Sequence, residues 1–91
     1  MPSLDLQSAL SQSPNQVSCV LENERVILDT NSGSYFQLSS VGSDIWDKIG
    51  QNKTIATILR ELANEYDQSS EIIEKEALDF IETLLQKKLV I

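Results

Sequence analysis

The stretch that decides the fold is residues 25–46, which read RVILDTNSGSYFQLSSVGSDIW. It holds two β-prone runs, 25–29 and 34–38, and the TNSG between them supplies Asn and Gly where a tight turn needs a positive φ. Directly after the second run, Ser39 or Ser40 is placed to cap a helix. A hairpin that passes straight into a helix predicts a sheet whose last strand is left at an open edge.

A third β-prone run, 17–22, precedes this stretch. Residues 23–24 separate it from the next run, and this spacing suits a two-residue hairpin loop. The three runs together predict an antiparallel meander. In its last strand the two-residue period places Phe36 and Leu38 on the core face and leaves Tyr35 partly exposed on the other face.

Three amphipathic helices are predicted after the sheet. Thr54 is placed to cap the second, and the break at 67–70 offers a cap for the third, over 71–88. The apolar positions that recur with the helical period are Val41, Ile45, Trp46 and Ile49 in the first helix, Ile55, Ile58, Leu59, Leu62, Ala63 and Tyr66 in the second, and Ile73, Ala77, Phe80 and Leu84 in the third. We interpret Trp46 as a core anchor. The predicted class is α+β, a three-stranded antiparallel meander followed by three helices.

The third helix has more apolar surface than one packing face requires. Leu78, Ile81 and Leu85 widen its apolar arc to about 180°, where roughly 100° is enough. Either residues 89–91 or the N-terminal arm fold over this flank, or the flank and the third strand form a groove open to an extended peptide. Glu74 lies on the same side, either as a solvated charge or as a partner for a basic peptide residue.

Residues 1–16 are rich in Ser and Gln and lack strand alternation. We interpret them as a flexible or loosely docked N-terminal arm, followed by one folded domain over 17–91. Within the arm, Leu4, Leu6 and Leu10 either form a short helical turn or belong to a frayed terminus.

The composition excludes several kinds of chemistry. Histidine is absent and Cys19 is the single cysteine, so a Cys–His nucleophile pair, a Cys/His zinc site and an internal disulfide are impossible. We therefore expect no catalytic residues, no metal ligands, no cofactor and no enzymatic activity. Cys19 is interpreted as a small packing residue in a reducing compartment. The N-terminus lacks a basic, apolar targeting segment, which predicts a cytoplasmic protein away from membranes.

The charge of the chain argues against nucleic acid as a partner. The formal net charge is −7, spread over the helical half, whereas DNA binding depends on basic residues that neutralise phosphates. The alternative interpretation is a winged helix-turn-helix DNA-binding protein, whose last helix would enter the major groove. The exposed side of that helix is mostly acidic and opposes this alternative. It comprises Glu71, Lys75, Glu76, Asp79, Glu82, Thr83 and Gln86.

Taken in order, these patterns resemble the PqqD-like family. The matching pieces are VILD at 26–29, GSYFQL at 33–38, VG at 41–42, IW at 45–46, TI at 54–55, the leucines and isoleucine of 58–62, LL at 84–85 and LV at 89–90. The resemblance covers residues 17–91. One departure is Ser39, where many members have Asn after the strand leucine, and Ser caps a helix equally well.

The resemblance implies a winged-helix-like β3α3 domain that acts as a recognition element for ribosomally synthesised, post-translationally modified peptides (RiPP recognition element). By that analogy the leader segment of a precursor peptide would bind as a fourth antiparallel strand beside 34–38. Its backbone would pair with Ser34 and Phe36 or with Tyr35 and Gln37. The implied peptide-binding residues are Ser34, Tyr35, Phe36, Gln37, Leu38, Glu74, Leu78, Ile81 and Leu85.

The resemblance also implies partners. Many free-standing members of this size resemble the leader-binding subunit of lasso-peptide pathways. That subunit works with a leader peptidase and a macrolactam synthetase, and a different peptide-modifying enzyme is the other possibility. An unfilled third-strand edge could also pair with a second copy, so a homodimer is expected when no leader is bound.

Overall fold

The fold begins with a three-stranded sheet and ends in three helices. The computed structural model describes residues 5–21, 24–67 and 69–91. The strands are antiparallel in the order β1 (Gln16–Leu21), β2 (Glu24–Asp29) and β3 (Tyr35–Leu38), and the helices are α1 (Ser40–Gly50), α2 (Ile55–Glu65) and α3 (Ser70–Gln86). The predicted α+β class and the meander are confirmed.

The turn between β2 and β3 is built on Gly33 and Asp29. Gly33 adopts φ 76°, a conformation that glycine tolerates because it has no Cβ. Asn31 was expected to share this role but has no positive φ. Instead its backbone N–H donates to Asp29 Oδ1 at 2.9 Å, and this hydrogen bond holds the pKa of Asp29 below its ordinary value. The turn therefore fixes the start of β3.

The connection between β1 and β2 differs from the prediction at one residue. Glu24 was placed in the hairpin loop, but it pairs with Leu21 as the first residue of β2. Its side chain is also hydrogen-bonded to Gln37 across the exposed face of the sheet. The prediction for Glu24 is therefore wrong, because cross-strand pairing extends to it. Glu22, predicted as the last residue of the first strand, and Asn23 lie outside the described residues.

Cys19 is not the packing residue that the sequence suggested. It is exposed on β1, opposite Val26. Alternate residues of a strand point to opposite faces, and the face that carries Cys19 also carries Val17 and Leu28, which are partly or largely exposed. The apolar run around Cys19 thus reflects β propensity on an outer sheet face and not burial.

All three helices begin at the predicted side-chain caps. The cap hydroxyl accepts from the backbone N–H three residues later, which satisfies one of the free donors of the first helical turn. The pairs are Ser39 with Gly42 at 3.1 Å, Thr54 with Thr57 at 3.1 Å and Ser69 with Ile72 at 3.3 Å. The third helix ends at Gln86, two residues before its predicted end, and Lys88 leaves the helical conformation with φ 60°.

One core joins the inner face of the sheet to the helices. Trp46 is 1% exposed, which confirms it as a core anchor. The buried apolar residues are Ile27, Leu38, Ile45, Trp46, Ile49, Ile55, Ile58, Leu62, Ile73, Ala77, Ile81, Leu84, Leu89 and Val90, and Phe36, Val41, Leu59, Tyr66 and Phe80 pack against them half-buried. Residues from each of the three helices share this core, so the inner face of β3 packs on a core that the helices complete.

The N-terminal segment lies along the body in this structure. The backbone N–H of Ala56 donates to Leu6 O at 2.8 Å, and Ser11 and Ile91 exchange two backbone hydrogen bonds of 2.8 Å. Leu10 packs against the core. The segment thus pairs with the first turn of α2 and with the C-terminal residue Ile91. Leu4 lies outside the described residues, and the boundary at residue 16 stays a prediction.

A polar network joins α1 to α2. Glu61 lies between two lysines, with Lys53 Nζ at 2.7 Å and Lys48 Nζ at 3.1 Å from its Oε1, and Glu65 Oε2 is 3.2 Å from Lys48. The hydrogen bonds from Lys53, which has the larger effect, and from Lys48 hold the pKa of Glu61 below its ordinary value. Nearby, the hydrogen bond from Tyr66 to the Asp44 carboxylate raises the pKa of Tyr66 to about 12.

This network predicts a specific pH dependence for Glu61→Gln. Because the folded-state pKa of Glu61 lies below the unfolded value of about 4.3, its stabilisation is present above that value and is lost as the pH falls through the folded pKa. We expect the gap between the urea midpoints of the wild-type protein and Glu61→Gln to be largest near neutral pH and to close in acid. Glu82→Gln is the matched control, since Glu82 is exposed and belongs to none of the described ion pairs. A difference between the urea midpoints that does not change with pH would contradict a lowered pKa of Glu61 in the folded protein.

Candidate functional site

Strand β3 is one of the two edge strands of the sheet and the one next to α1. Its register shows which backbone groups face outward. The N–H of Asp29 donates to Ser34 O at 2.8 Å. In an antiparallel pair, hydrogen-bonded and non-hydrogen-bonded pairs alternate. Ser34 and Phe36 therefore direct their backbone groups toward β2, whereas Tyr35 and Gln37 direct theirs away from the sheet. The sequence left open whether Ser34 and Phe36 or Tyr35 and Gln37 offer their backbone groups at this edge. In the structure Tyr35 and Gln37 are the two that face outward.

The side chains of β3 divide between the two faces of the sheet as predicted. Tyr35 is 71% exposed on the outer face, and Gln37 is exposed beside it. Leu38 is 7% exposed and Phe36 is half-buried against the core. A strand added to this edge would therefore place alternate side chains next to the Phe36 ring, under the helices.

Lys87, which directly follows α3, reaches β3, and Phe80 of α3 reaches the first turn of α1. Lys87, at the end of the helix, holds its Nζ 4.6 Å from the centre of the Phe36 ring, a cation–π contact. Phe80 lies against Gly42 in the first turn of α1, where an added Cβ would be 3.3 Å from Phe80 Cζ. Phe80 and Lys87 thus mark the side of α3 that is turned toward β3 and the residues that follow it.

We call this side of α3 the strand-facing flank. Advancing by about 100° per residue, the positions within about 80° of one another on this side are Ile72, Glu76, Phe80, Thr83 and Lys87. Ile72 is 52% exposed although it is apolar, and Glu76 and Thr83 are exposed as well. Its apolar members are Ile72 and Phe80, and at its carboxyl end Lys87 lies over the Phe36 ring of β3.

The predicted helix contacts lie elsewhere on α3. Ile81 is 0% exposed and belongs to the core, so its predicted place in an open wall is wrong for this structure. Glu74, Leu78 and Leu85 lie about 160° to 180° round the helix from the middle of the strand-facing flank. The structure therefore does not bring them to β3 as the second wall of one groove. Their contact with a peptide stays a prediction.

Glu74 and Leu78 do lie together, on a second surface. They line an open depression of about 440 Å³ on α3, whose described lining residues are Glu71, Glu74, Lys75, Leu78, Asp79 and Glu82. Four of these six side chains are acidic, so the depression is a negatively charged surface. It is separate from the strand-facing flank.

The strand-facing flank could not be identified from the sequence. The helical pattern assigned Phe80 to the core and Lys87 to the end of the helix, and both assignments are compatible with the structure. Which side of the wide apolar arc approaches β3 depends on how α3 packs on α1 and α2. The sequence contained one indication of this flank, which is Ile72. It lies eight residues before Phe80, about two helical turns, and therefore on the same side of α3.

The described residues give no sign of a metal site or a membrane span. None of their His, Cys, Asp and Glu side chains form a group of three or more that could hold a metal ion. Within the same ranges, each helix is too short or too polar to cross a bilayer.

Comparison with known proteins places the chain in a family. The model of the family described as coenzyme PQQ synthesis protein D (PqqD) matches residues 24–90. No curated protein matches the sequence. A solved structure of TbiB1 in complex with the TbiA(beta) leader peptide is similar, with 31% identity and a TM-score of 0.79 over 88% of this chain and 93% of that chain.

A second solved structure, a lasso peptide synthetase B1 complexed with the leader peptide, shares the fold with a TM-score of 0.83. Its sequence identity is 19%, over 92% of this chain and 99% of that chain. The family model covers well over half of the 91 residues, and it includes β2, β3 and all three helices. This chain belongs to the PqqD family.

Proposed function

We propose that this protein is a non-catalytic peptide-binding protein that recognises the leader segment of a ribosomally synthesised precursor peptide. The observation that carries the proposal is the open β3 edge, where Tyr35 and Gln37 direct their backbone groups outward beside the half-buried Phe36. Edge addition uses backbone hydrogen bonds for affinity and alternate side chains for specificity. The 31% identity to TbiB1, which is in complex with a leader peptide, supports the same proposal.

The bound leader forms a fourth, antiparallel strand. One leader residue pairs with Tyr35, and the leader residue two positions before it pairs with Gln37. Each of these two leader residues exchanges two backbone hydrogen bonds with its partner. The leader residue between them lies opposite Phe36 and turns its side chain toward the Phe36 ring, next to Lys87. An apolar side chain at this position buries its surface in the strip between β3 and α3, at roughly 25 cal/mol per Å² removed from water.

The predicted contacts on α3 enter the proposal in two ways. Ile81, buried in the core, acts as support beneath the site. Glu74, Leu78 and Leu85 contact the leader only if it continues past β3 and round α3. Chemical-shift changes in the complex distinguish a leader confined to the strand-facing flank from one that reaches the acidic depression.

The leader-bound protein delivers the precursor to a leader peptidase and a macrolactam synthetase in a lasso-peptide pathway, or to another peptide-modifying enzyme. Without leader, the β3 edges of two copies pair as a homodimer, because the outward groups of Tyr35 and Gln37 are satisfied equally well by a second β3. Leader and partner copy compete for one edge. Sedimentation at high protein concentration should therefore detect a dimer that dissociates when leader is added.

The experiment is an NMR titration of the ¹⁵N-labelled protein with a synthetic leader peptide from the precursor gene adjacent to its own. We expect saturable binding, with the largest amide shifts at Tyr35 and Gln37 and smaller ones along the strand-facing flank. A peptide of the same composition in scrambled order is the control. A folded protein that gives no saturable shifts with any adjacent leader would overturn the proposed function.

A further inference from the structure

The strand-facing flank carries opposite charges at its two ends. Glu76 and Lys87 are exposed, and neither belongs to an ion pair within the described residues. Eleven residues of helix separate them, which is about 16 Å at 1.5 Å per residue. An extended peptide covers this distance in about five residues. Phe80 lies between the two charges, at the apolar middle of the flank.

The direction of a bound peptide along α3 follows from two contacts. Phe36 lies beneath Lys87 at the carboxyl end of α3, and Gly42 lies against Phe80, two turns earlier. The chain thus moves toward earlier parts of α3 as it passes from β3 into α1. A peptide antiparallel to β3 runs the opposite way, in the direction of α3. Its amino-terminal part passes Glu76 and its carboxyl-terminal part passes Lys87.

We infer that this flank selects the charge order of the leader peptide, with a basic residue at the Glu76 end and an acidic residue about four or six positions later at Lys87, since only an even spacing keeps both side chains on one face of an extended peptide. The apolar residue opposite Phe36 lies near the acidic end, because the Phe36 ring lies beneath Lys87. The inference rests on the proposed function and adds a specificity rule to it. A peptide threaded in the wrong direction would place like charges together at both ends, so the two residues also disfavour reversed binding.

Lys87 is well placed for this role. Its ammonium lies over the Phe36 ring at 4.6 Å, next to the strand edge that receives the peptide. A peptide carboxylate at this end meets the only positive charge among the five flank residues, in a protein whose net charge is −7. Elsewhere on this flank the same carboxylate would meet no positive charge, and at Glu76 it would be repelled.

The test compares matched charge reversals on opposite sides of one helix. The probe is the synthetic leader peptide from the adjacent precursor gene, titrated calorimetrically at low salt. Glu76→Lys is paired with Glu82→Lys, and Lys87→Glu with Lys75→Glu, so that net charge changes equally within each pair. We expect Glu76→Lys and Lys87→Glu to weaken binding about fivefold and the two controls to change it less than twofold. High salt should remove the difference.

A charge-swapped leader supplies the reciprocal measurement. Exchanging its basic and acidic residues should weaken binding to the wild-type protein and restore it to the Glu76→Lys/Lys87→Glu double variant. The inference is overturned if test and control variants weaken binding equally, or if an adjacent leader binds without this charge order. A leader that does not bind the wild-type protein at all overturns the proposed function instead.

Discussion

Gln37→Pro is expected to weaken leader binding by about 10- to 100-fold while the domain stays folded. Proline has no backbone N–H, and at position 37 the lost donor is one that faces away from β2. The internal sheet therefore keeps its hydrogen bonds, but a leader carbonyl opposite this position is left without a partner, at a cost of about 1–3 kcal/mol. Calorimetric titration with the adjacent leader measures the loss.

Two controls separate the lost N–H from other effects of Gln37→Pro. Gln37→Ala removes the side-chain contact with Glu24 and keeps the N–H. Ser18→Pro makes the same backbone change on the opposite edge, since the Thr30 N–H to Asn15 O bond of 3.1 Å sets a register in which Ser18 faces outward from β1. Both should bind leader like the wild-type protein. An equal loss in Ser18→Pro would place the effect on the fold and contradict binding at β3.

Much of the fold could be predicted because local signals and tertiary packing agree. Each helix follows a Ser or Thr whose hydroxyl caps it, and the apolar positions with a period of 3.6 residues are buried or half-buried. The period of two likewise placed Leu38 inward and Tyr35 outward. Helix caps and periodic apolar positions depend on neighbours within a few residues along the chain, so they can be recognised from the sequence pattern alone.

The candidate site was predicted only in part, for a physical reason. Strand β3 could be identified as an open edge because nothing follows it in the sheet. The side of α3 that lies toward β3 could not be identified from the sequence. A wide apolar arc has two flanks, and only the packing of α3 on the other elements decides which flank approaches β3. Leu78 and Phe80 are two positions apart, yet they lie on opposite flanks. The same limit explains Cys19, whose β-prone surroundings do not distinguish an inner from an outer sheet face.

Trp46→Ala is expected to produce the largest loss of stability. The side chain is 1% exposed at the centre of the core, and removing a buried tryptophan typically costs about 3–5 kcal/mol through lost burial and the cavity left behind. A domain of 91 residues has a free energy of unfolding of about 5–14 kcal/mol in total. Trp46→Ala should therefore lower the urea midpoint by a large fraction, whereas Trp46→Phe keeps an aromatic ring and should lose less.

Tyr35→Ala is the matched aromatic control, because Tyr35 is 71% exposed and exposed substitutions usually change stability by less than about 0.5 kcal/mol. Far-UV circular dichroism follows all these variants, including those that lack the single tryptophan. The pair also separates stability from binding. Trp46→Ala should lose leader binding only as the folded fraction falls, because no proposed contact involves it, whereas Tyr35→Ala alters the outer face of the site in a fully folded domain. Equal destabilisation by the two substitutions would mean that Trp46 does not anchor the core.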